Sequence, residues 1–139
     1  MEELLVVRLG ELRVALPTAQ IERVEPMVAV TPLGVAAPAG VVGAVAYRGA
    51  MLAVVDPRPW FGLPTPEPTL DQRLVVVVTD ARRFLLWIDA VDELVHAAPV
   101  SVDSSLAVVA GVATWGGTTA PVVSLMAFDP GALFLPEAP

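Results

Sequence analysis

The residues best suited to chemistry are few. His96 is the only histidine, and Asp89, Asp92 and Glu93 stand just before it. A histidine among carboxylates could serve in acid–base catalysis or help to hold a metal. The chain has no cysteine and no second histidine to add to such a site. It has no G-x-S-x-G segment that would set a serine against His96. His96 therefore reads as a loop histidine, and the three acids as the solvated face of a short helix. Gly111, Gly116 and Gly117 lack the spacing and the following helix of a phosphate loop. No catalytic residue, no metal ligand and no cofactor site is expected.

What remains is the chemistry of recognition. All 8 basic residues are arginine. Arg48 lies between Tyr47 and Gly49 at the tip of an expected hairpin, where Gly49 can supply the positive φ of a tight turn. Its planar fork suits bidentate pairing with a carboxylate, within the chain or on a partner. A solvated turn arginine is the plainer alternative. Asp56 ends the next expected strand, and Arg58 follows two residues later. Asp56 reads as a turn residue whose carboxylate accepts backbone N–H groups.

These residues need a frame. The chain of 139 residues suits one domain, or two small lobes with a shared core. Its hydrophobic fraction is 55%, before glycine is counted. Valine dominates, and its branched side chain fits a pleated sheet better than a helix. So much apolar surface must be buried or offered to partners. The net charge of −7 argues against binding nucleic acid or anionic membranes. Met1-Glu2-Glu3 is unlike the basic start of a signal peptide, and the absence of cysteine fits the cytoplasm. The uncharged stretches Met27–Tyr47 and Ser104–Phe128 are broken by proline and glycine, so they read as strands and turns rather than membrane spans.

Along the chain, Leu4–Leu9 and Leu12–Leu16 make a first hairpin. Ala19–Val24 is expected as a short helical turn. A Pro/Ala/Gly-rich connection, Thr31–Gly40, leads to a second hairpin, Val41–Tyr47 and Met51–Asp56. Pro64–Asp71 is the expected linker. The pattern then restarts: a hairpin Arg73–Thr79 and Arg83–Ile88, a helical turn Ala90–Val95, a loop Ala97–Ser105, a hairpin Val108–Trp115 and Thr119–Ser124, and an apolar tail Leu125–Leu135. Gly43-Ala-Val-Ala-Tyr47-Arg48-Gly49 overlies Gly111-Val-Ala-Thr-Trp115-Gly116-Gly117 without a gap. Ile21-Glu22-Arg23-Val24 overlies Val91-Asp92-Glu93-Leu94. This is an internal duplication, with repeats over roughly 3–63 and 72–135 and a linker at about 64–71. The expected fold is all-β, two small five-stranded barrels with few short helices. Trp60, Trp87 and Trp115 are expected in the core or at the lobe junction.

Gly43-Ala-Val-Ala-Tyr-Arg48-Gly49, followed by Leu52-Ala-Val-Val-Asp56-Pro-Arg58, resembles paired segments of the CheW-like family of bacterial chemosensory adaptors. Leu5-Val-Val-Arg-Leu-Gly10 and Leu86-Trp-Ile-Asp89-Ala-Val91 fit the same pattern, in order and nearly end to end. The resemblance implies two β-barrel lobes within a single domain over 1–139 and no catalytic activity. It implies an adaptor joining a chemoreceptor's cytoplasmic tip to a CheA-type histidine kinase. It places a protein-binding surface at Tyr47, Arg48, Gly49, Ile21, Arg23, Val41, Val42 and Arg58. Met27, Val28 and Val30 are expected to add exposed apolar surface.

The departures from the family pattern are specific. Ala46 replaces an Asn, Pro57 a Leu, and Ser124 an Asp. Arg23 stands where Glu is common. The Val95–Gly111 segment is short. These favour a second reading, an adaptor that binds the receptor but not the kinase, such as one in a Frz-type gliding-motility pathway. A small β-barrel enzyme or ligand binder is the third.

Overall fold

The computed structural model describes residues 1–33, 40–80, 82–103 and 107–130. Parts of the Thr31–Gly40 connection, the Ala97–Ser105 loop and the Leu125–Leu135 tail lie outside the described residues, as does Ala81 of the expected Asp80-Ala81 turn.

Among the described residues eleven strands follow in order. They are β1 (Glu2–Leu9), β2 (Leu12–Pro17), β3 (Ile21–Pro26), β4 (Val41–Tyr47), β5 (Ala50–Val55), β6 (Arg73–Val78), β7 (Arg83–Ile88), β8 (Ala90–Ala97), β9 (Val100–Ser101), β10 (Val109–Trp115) and β11 (Thr118–Val123). The helical content described is three short 3₁₀ turns, Thr18–Gln20, Arg58–Phe61 and Leu125–Phe128.

The strands form two sheets, ordered β3-β6-β7-β5-β4 and β8-β1-β2-β11-β10-β9. The first is called the Arg48 lobe and the second the Gly116 lobe, after their hairpin tips. Neither sheet closes through hydrogen bonds into the five-stranded barrel expected. One has five strands and the other six, and among the described residues no ladder joins the outer strands of either.

The lobes are intertwined. Each takes its central hairpin from one half of the sequence and its flanking strands from the other. The registers repeat in detail. β5 lies parallel to β7 with Val54 opposite Leu85, and β11 lies parallel to β2 with Val122 opposite Ala15. A bulge at Glu22 in the β3–β6 ladder has its counterpart at Asp92 in the β8–β1 ladder. The Arg83–Glu22 ion pair is likewise repeated as Arg13–Asp92, both at 2.9 Å.

Two expected helical turns are strands. Residues 21–24 fall in β3 and residues 90–95 in β8. Ile21, Val24, Val91 and Val95 are β-branched and pair with the opposite half's hairpin. The bulges at Glu22 and Asp92 break the period-two alternation that would have marked these segments as strands.

The central hairpins are buried on both faces. Leu4 and Val6 of β1 line the Gly116 lobe's interior, while Val7 and Leu9 face a third core shared between the lobes. Leu74 and Val76 of β6 line the Arg48 lobe, and Val75 and Val77 turn to the shared core. Two buried faces require apolar residues at successive positions. This is why Leu4–Val7, Val14–Leu16, Leu74–Val77 and Phe84–Ile88 read as apolar runs, with Arg8, Arg13, Arg73 and Arg83 toward the strand ends. Trp60 and Phe128, equivalent residues of the two halves, meet edge to face at 5.1 Å.

Candidate functional site

The β4–β5 hairpin brings Tyr47, Arg48 and Gly49 to one end of the Arg48 lobe. Arg48 adopts φ 49° and Gly49 φ 86°, the left-handed pair of a two-residue hairpin turn. The equivalent turn of the other lobe uses Gly116 and Gly117 at φ 50° and 80°. Arg48 is the one non-glycine residue with positive φ among the described residues. Its guanidinium sits 5.4 Å from the centre of the Tyr47 ring, within cation–π range.

Beside this tip lies an apolar groove of about 190 Å³, lined by Pro26, Val28, Val45, Ala46, Leu74 and Leu85, with Glu25 and Tyr47 at its polar margin. The groove occupies the open side of the sheet between β3 and β4. In the Gly116 lobe the corresponding opening is crossed by a contact between Trp115 Nε1 and Glu93, at 3.3 Å. Burial, and then the nearby Glu25 carboxylate, push the Tyr47 hydroxyl above its ordinary range, against the opposing pull of Arg48 and Arg23. Arg23 and Arg48 are exposed, and neither forms an ion pair among the described residues. The chain's net charge is −7, so two cations near Tyr47 without a carboxylate partner among the described residues stand out.

The other residues expected at a partner surface lie elsewhere. Arg58 is 2% exposed and is withdrawn from any partner. It bonds Asp56 at 2.9 Å and Asp89 at 2.8 Å and stacks on Trp87, 4.5 Å from the ring centre. Asp56, fully buried, also accepts the Arg58 backbone N–H at 3.0 Å and the Thr65 hydroxyl at 2.6 Å. Gln72 receives the Trp87 indole N–H and donates to Asp89. The Gly10 N–H, from the β1–β2 turn of the other lobe, also donates to Asp89. Burial alone would raise the Asp89 carboxyl; the Gly10 N–H, Arg58 and Gln72 outweigh it and hold it below its ordinary value. This network fastens the linker and both lobes together.

Ile21, Val41 and Val42 are half-buried and pack against the cores, Ile21 and Val41 on the shared core and Val42 inside the Arg48 lobe. Met27 is buried at 7% exposure, whereas Val28 is exposed at 46%. The acids near His96 diverge. Asp89 joins the buried network, Asp92 binds Arg8 and Arg13, and Glu93 reaches Trp115. His96 is exposed and lies 3.4 Å from Glu3. Among the described residues no group of His, Cys, Asp and Glu is placed to hold a metal.

Sequence reasoning named the tip and Arg23 as candidates but did not anticipate the apolar groove beside Tyr47. Val45, Leu74 and Leu85 belong to three strands, and their side chains meet only through the sheet order. The Asp56–Arg58–Asp89 network was missed for the same reason. Its one local signal was the Asp-Pro-Arg spacing, which supplies a turn and a cation next to a buried acid.

The candidate site is thus an apolar groove with Glu25 and Tyr47 at its margin and Arg48 stacked on Tyr47 beside it. The chain matches the CheW-like domain over residues 3–125 and belongs to that family. No curated protein matches it in sequence. Among solved structures it is similar to the scaffolding protein TtCheW from Thermoanaerobacter tengcongensis, at 21% identity and a TM-score of 0.80, covering 96% of this chain and 98% of that one. Among the described residues no helix is long and apolar enough to cross a membrane.

Proposed function

We propose that the chain is a non-enzymatic adaptor of bacterial chemosensory signalling. It works in the cytoplasm, holding the helical tip of a methyl-accepting type chemoreceptor and joining it to a CheA-type histidine kinase. The observation that carries this reading is the placement of Arg48. A left-handed backbone costs a non-glycine residue about 1–2 kcal/mol, and the equivalent turn avoids that cost with Gly116. A partner carboxylate bound by the guanidinium is a reason for retaining the side chain there. The neighbouring groove would take the apolar stripe of the receptor helix. Membership of the CheW-like family supports the same reading.

A second reading has its own support. Arg23 is an exposed cation near enough to Tyr47 to act on its hydroxyl, at a position where the family pattern favours an acid, and the Val95–Gly111 segment is short. A kinase surface built to meet a carboxylate would then face a like charge. Under this reading the chain holds the receptor alone.

Titrating the protein separately with a receptor-tip helical hairpin and with the kinase's regulatory domain tests both. Binding of both partners supports the two-partner adaptor. Binding of the receptor tip alone supports the second reading. Binding of neither overturns the adaptor assignment. In the same assay Arg48→Ala should weaken receptor binding and leave the fold intact, since exposed substitutions change stability by about ±0.5 kcal/mol.

A further inference from the structure

The internal duplication allows one lobe to be read as a template for the other. In the Arg48 lobe, the site beside the β5 end is filled from within. The guanidinium of Arg58 lies on Trp87, bonded to Asp56 on one side and Asp89 on the other, with Gln72 bracing the tryptophan. The pairing registers identify the equivalent positions in the Gly116 lobe. Leu74 opposite Trp87 corresponds to Leu4 opposite Pro17, so Pro17 stands for Trp87 and Glu2 for Gln72. The bond from the Asp56 N–H to Gly40 is repeated from the Ser124 N–H to Val108, both at 2.7 Å. Ser124 therefore stands for Asp56 and Met126 for Arg58.

These substitutions empty the site. Proline is much smaller than tryptophan, serine is shorter than aspartate, and Met126 turns outward at 58% exposure. In their place is an open cleft of about 350 Å³ whose lining includes Glu2, Pro17, Gln20, Ser101, Gly111 and Ser124. No cation lines it. It retains a carboxylate, an amide, hydroxyls and a flat proline face, the groups that satisfy a guanidinium's donors and its apolar planes.

We propose that this cleft receives an arginine side chain presented by a second protein, the incoming guanidinium occupying the place that Arg58 fills in the other lobe. The chain's own arginines are engaged or placed elsewhere, so the occupant comes from another molecule. Its backbone stays outside the cleft while the side chain enters between Pro17 and Ser124, with Glu2 as the counter-charge. This site is separate from the Arg48 groove and does not depend on what that groove binds.

The test is an NMR titration of the ¹⁵N-labelled full chain with the blocked tripeptide acetyl-Gly-Arg-Gly-amide, and with its citrulline counterpart, which keeps the shape and loses the charge. The expected result is saturable shifts at the amides of Glu2, Gln20, Ser101, Gly111 and Ser124, with the citrulline peptide at least tenfold weaker. Ser124→Asp, which restores the carboxylate present at Asp56, should tighten the arginine peptide at least threefold. Glu2→Gln, at an exposed position, should weaken it at least threefold. Equal binding of both peptides, shifts spread over the other acidic surfaces, or indifference to both variants would overturn the proposal.

Discussion

In the Arg48 lobe the hairpin tip is Tyr47-Arg48-Gly49; in the Gly116 lobe it is Trp115-Gly116-Gly117. Both tips have the same backbone, so the turn does not require arginine. A second pair of positions differs just as sharply. Arg58 is buried between two carboxylates, whereas its counterpart Met126 projects into solvent. The fold tolerates either choice at each place. What the two lobes share is what the architecture needs: the bulges, the parallel strand contacts, the repeated ion pair and the double-faced hairpins. What they do not share is a side chain at the hairpin tip, Arg48 against Gly116, and a buried cation, Arg58 against Met126; the first difference is the one to which the proposed function assigns partner binding.

The largest effect should follow from making the interior alike. Arg58→Met copies the Gly116 lobe and leaves Asp56 buried without its cation. Breaking a buried pair in this way costs about 3–5 kcal/mol, read as a fall in the denaturation midpoint. Met126→Ala in the other lobe should change stability by about 0.5 kcal/mol or less. Comparable losses at the two sites would remove the distinction between them.

A shared feature should respond equally in both lobes. A Cβ on Gly43 would overlap the carbonyl oxygen of Thr31, and one on Gly111 that of Val100. Each glycine follows a bulge and lets a neighbouring backbone segment approach. Gly43→Ala and Gly111→Ala should each destabilise by about 1–3 kcal/mol, the usual penalty for overpacking. Thermal denaturation of the pair checks this, and a loss confined to one lobe would show that the close approach matters only there.

Making the tips alike should have a smaller effect of opposite sign. Arg48→Gly relieves the left-handed strain and should stabilise the protein by about 1 kcal/mol. Destabilisation of that size would show that stacking on Tyr47 holds the turn.

The smallest effect concerns acid. Asp89 has a lowered folded pKa, so its contribution to stability is fully present above the unfolded value near 3.8. It is lost as pH falls through the lower folded value. Asp89→Asn should reduce stability at neutral pH and flatten this part of the acid limb. An unchanged pH profile would remove Asp89 from the latch between the lobes.

The all-β class was legible because the duplication and the valine-rich runs both survive in the linear order. The two-residue tip at Arg48-Gly49 was legible because its chemistry is local. β3 and β8 were not, because Glu22 and Asp92 bulge and the alternation fails there. Barrel closure was equally beyond local signals, since it depends on whether β3 meets β4, and those strands come from distant segments. Arg58 was assigned to the surface because nothing nearby in sequence announces Asp89, Gln72 and Trp87 around it. The groove was hidden for the same reason: Val45, Leu74 and Leu85 become neighbours only after strands from both halves interleave.

The most direct test of the adaptor reading is calorimetric titration of a receptor-tip helical hairpin into the wild-type protein and into Arg48→Gly, with the stability of both measured in the same buffer. The account predicts that the variant is at least as stable as the wild type and binds at least tenfold more weakly. Undiminished binding by a stable Arg48→Gly protein would contradict it.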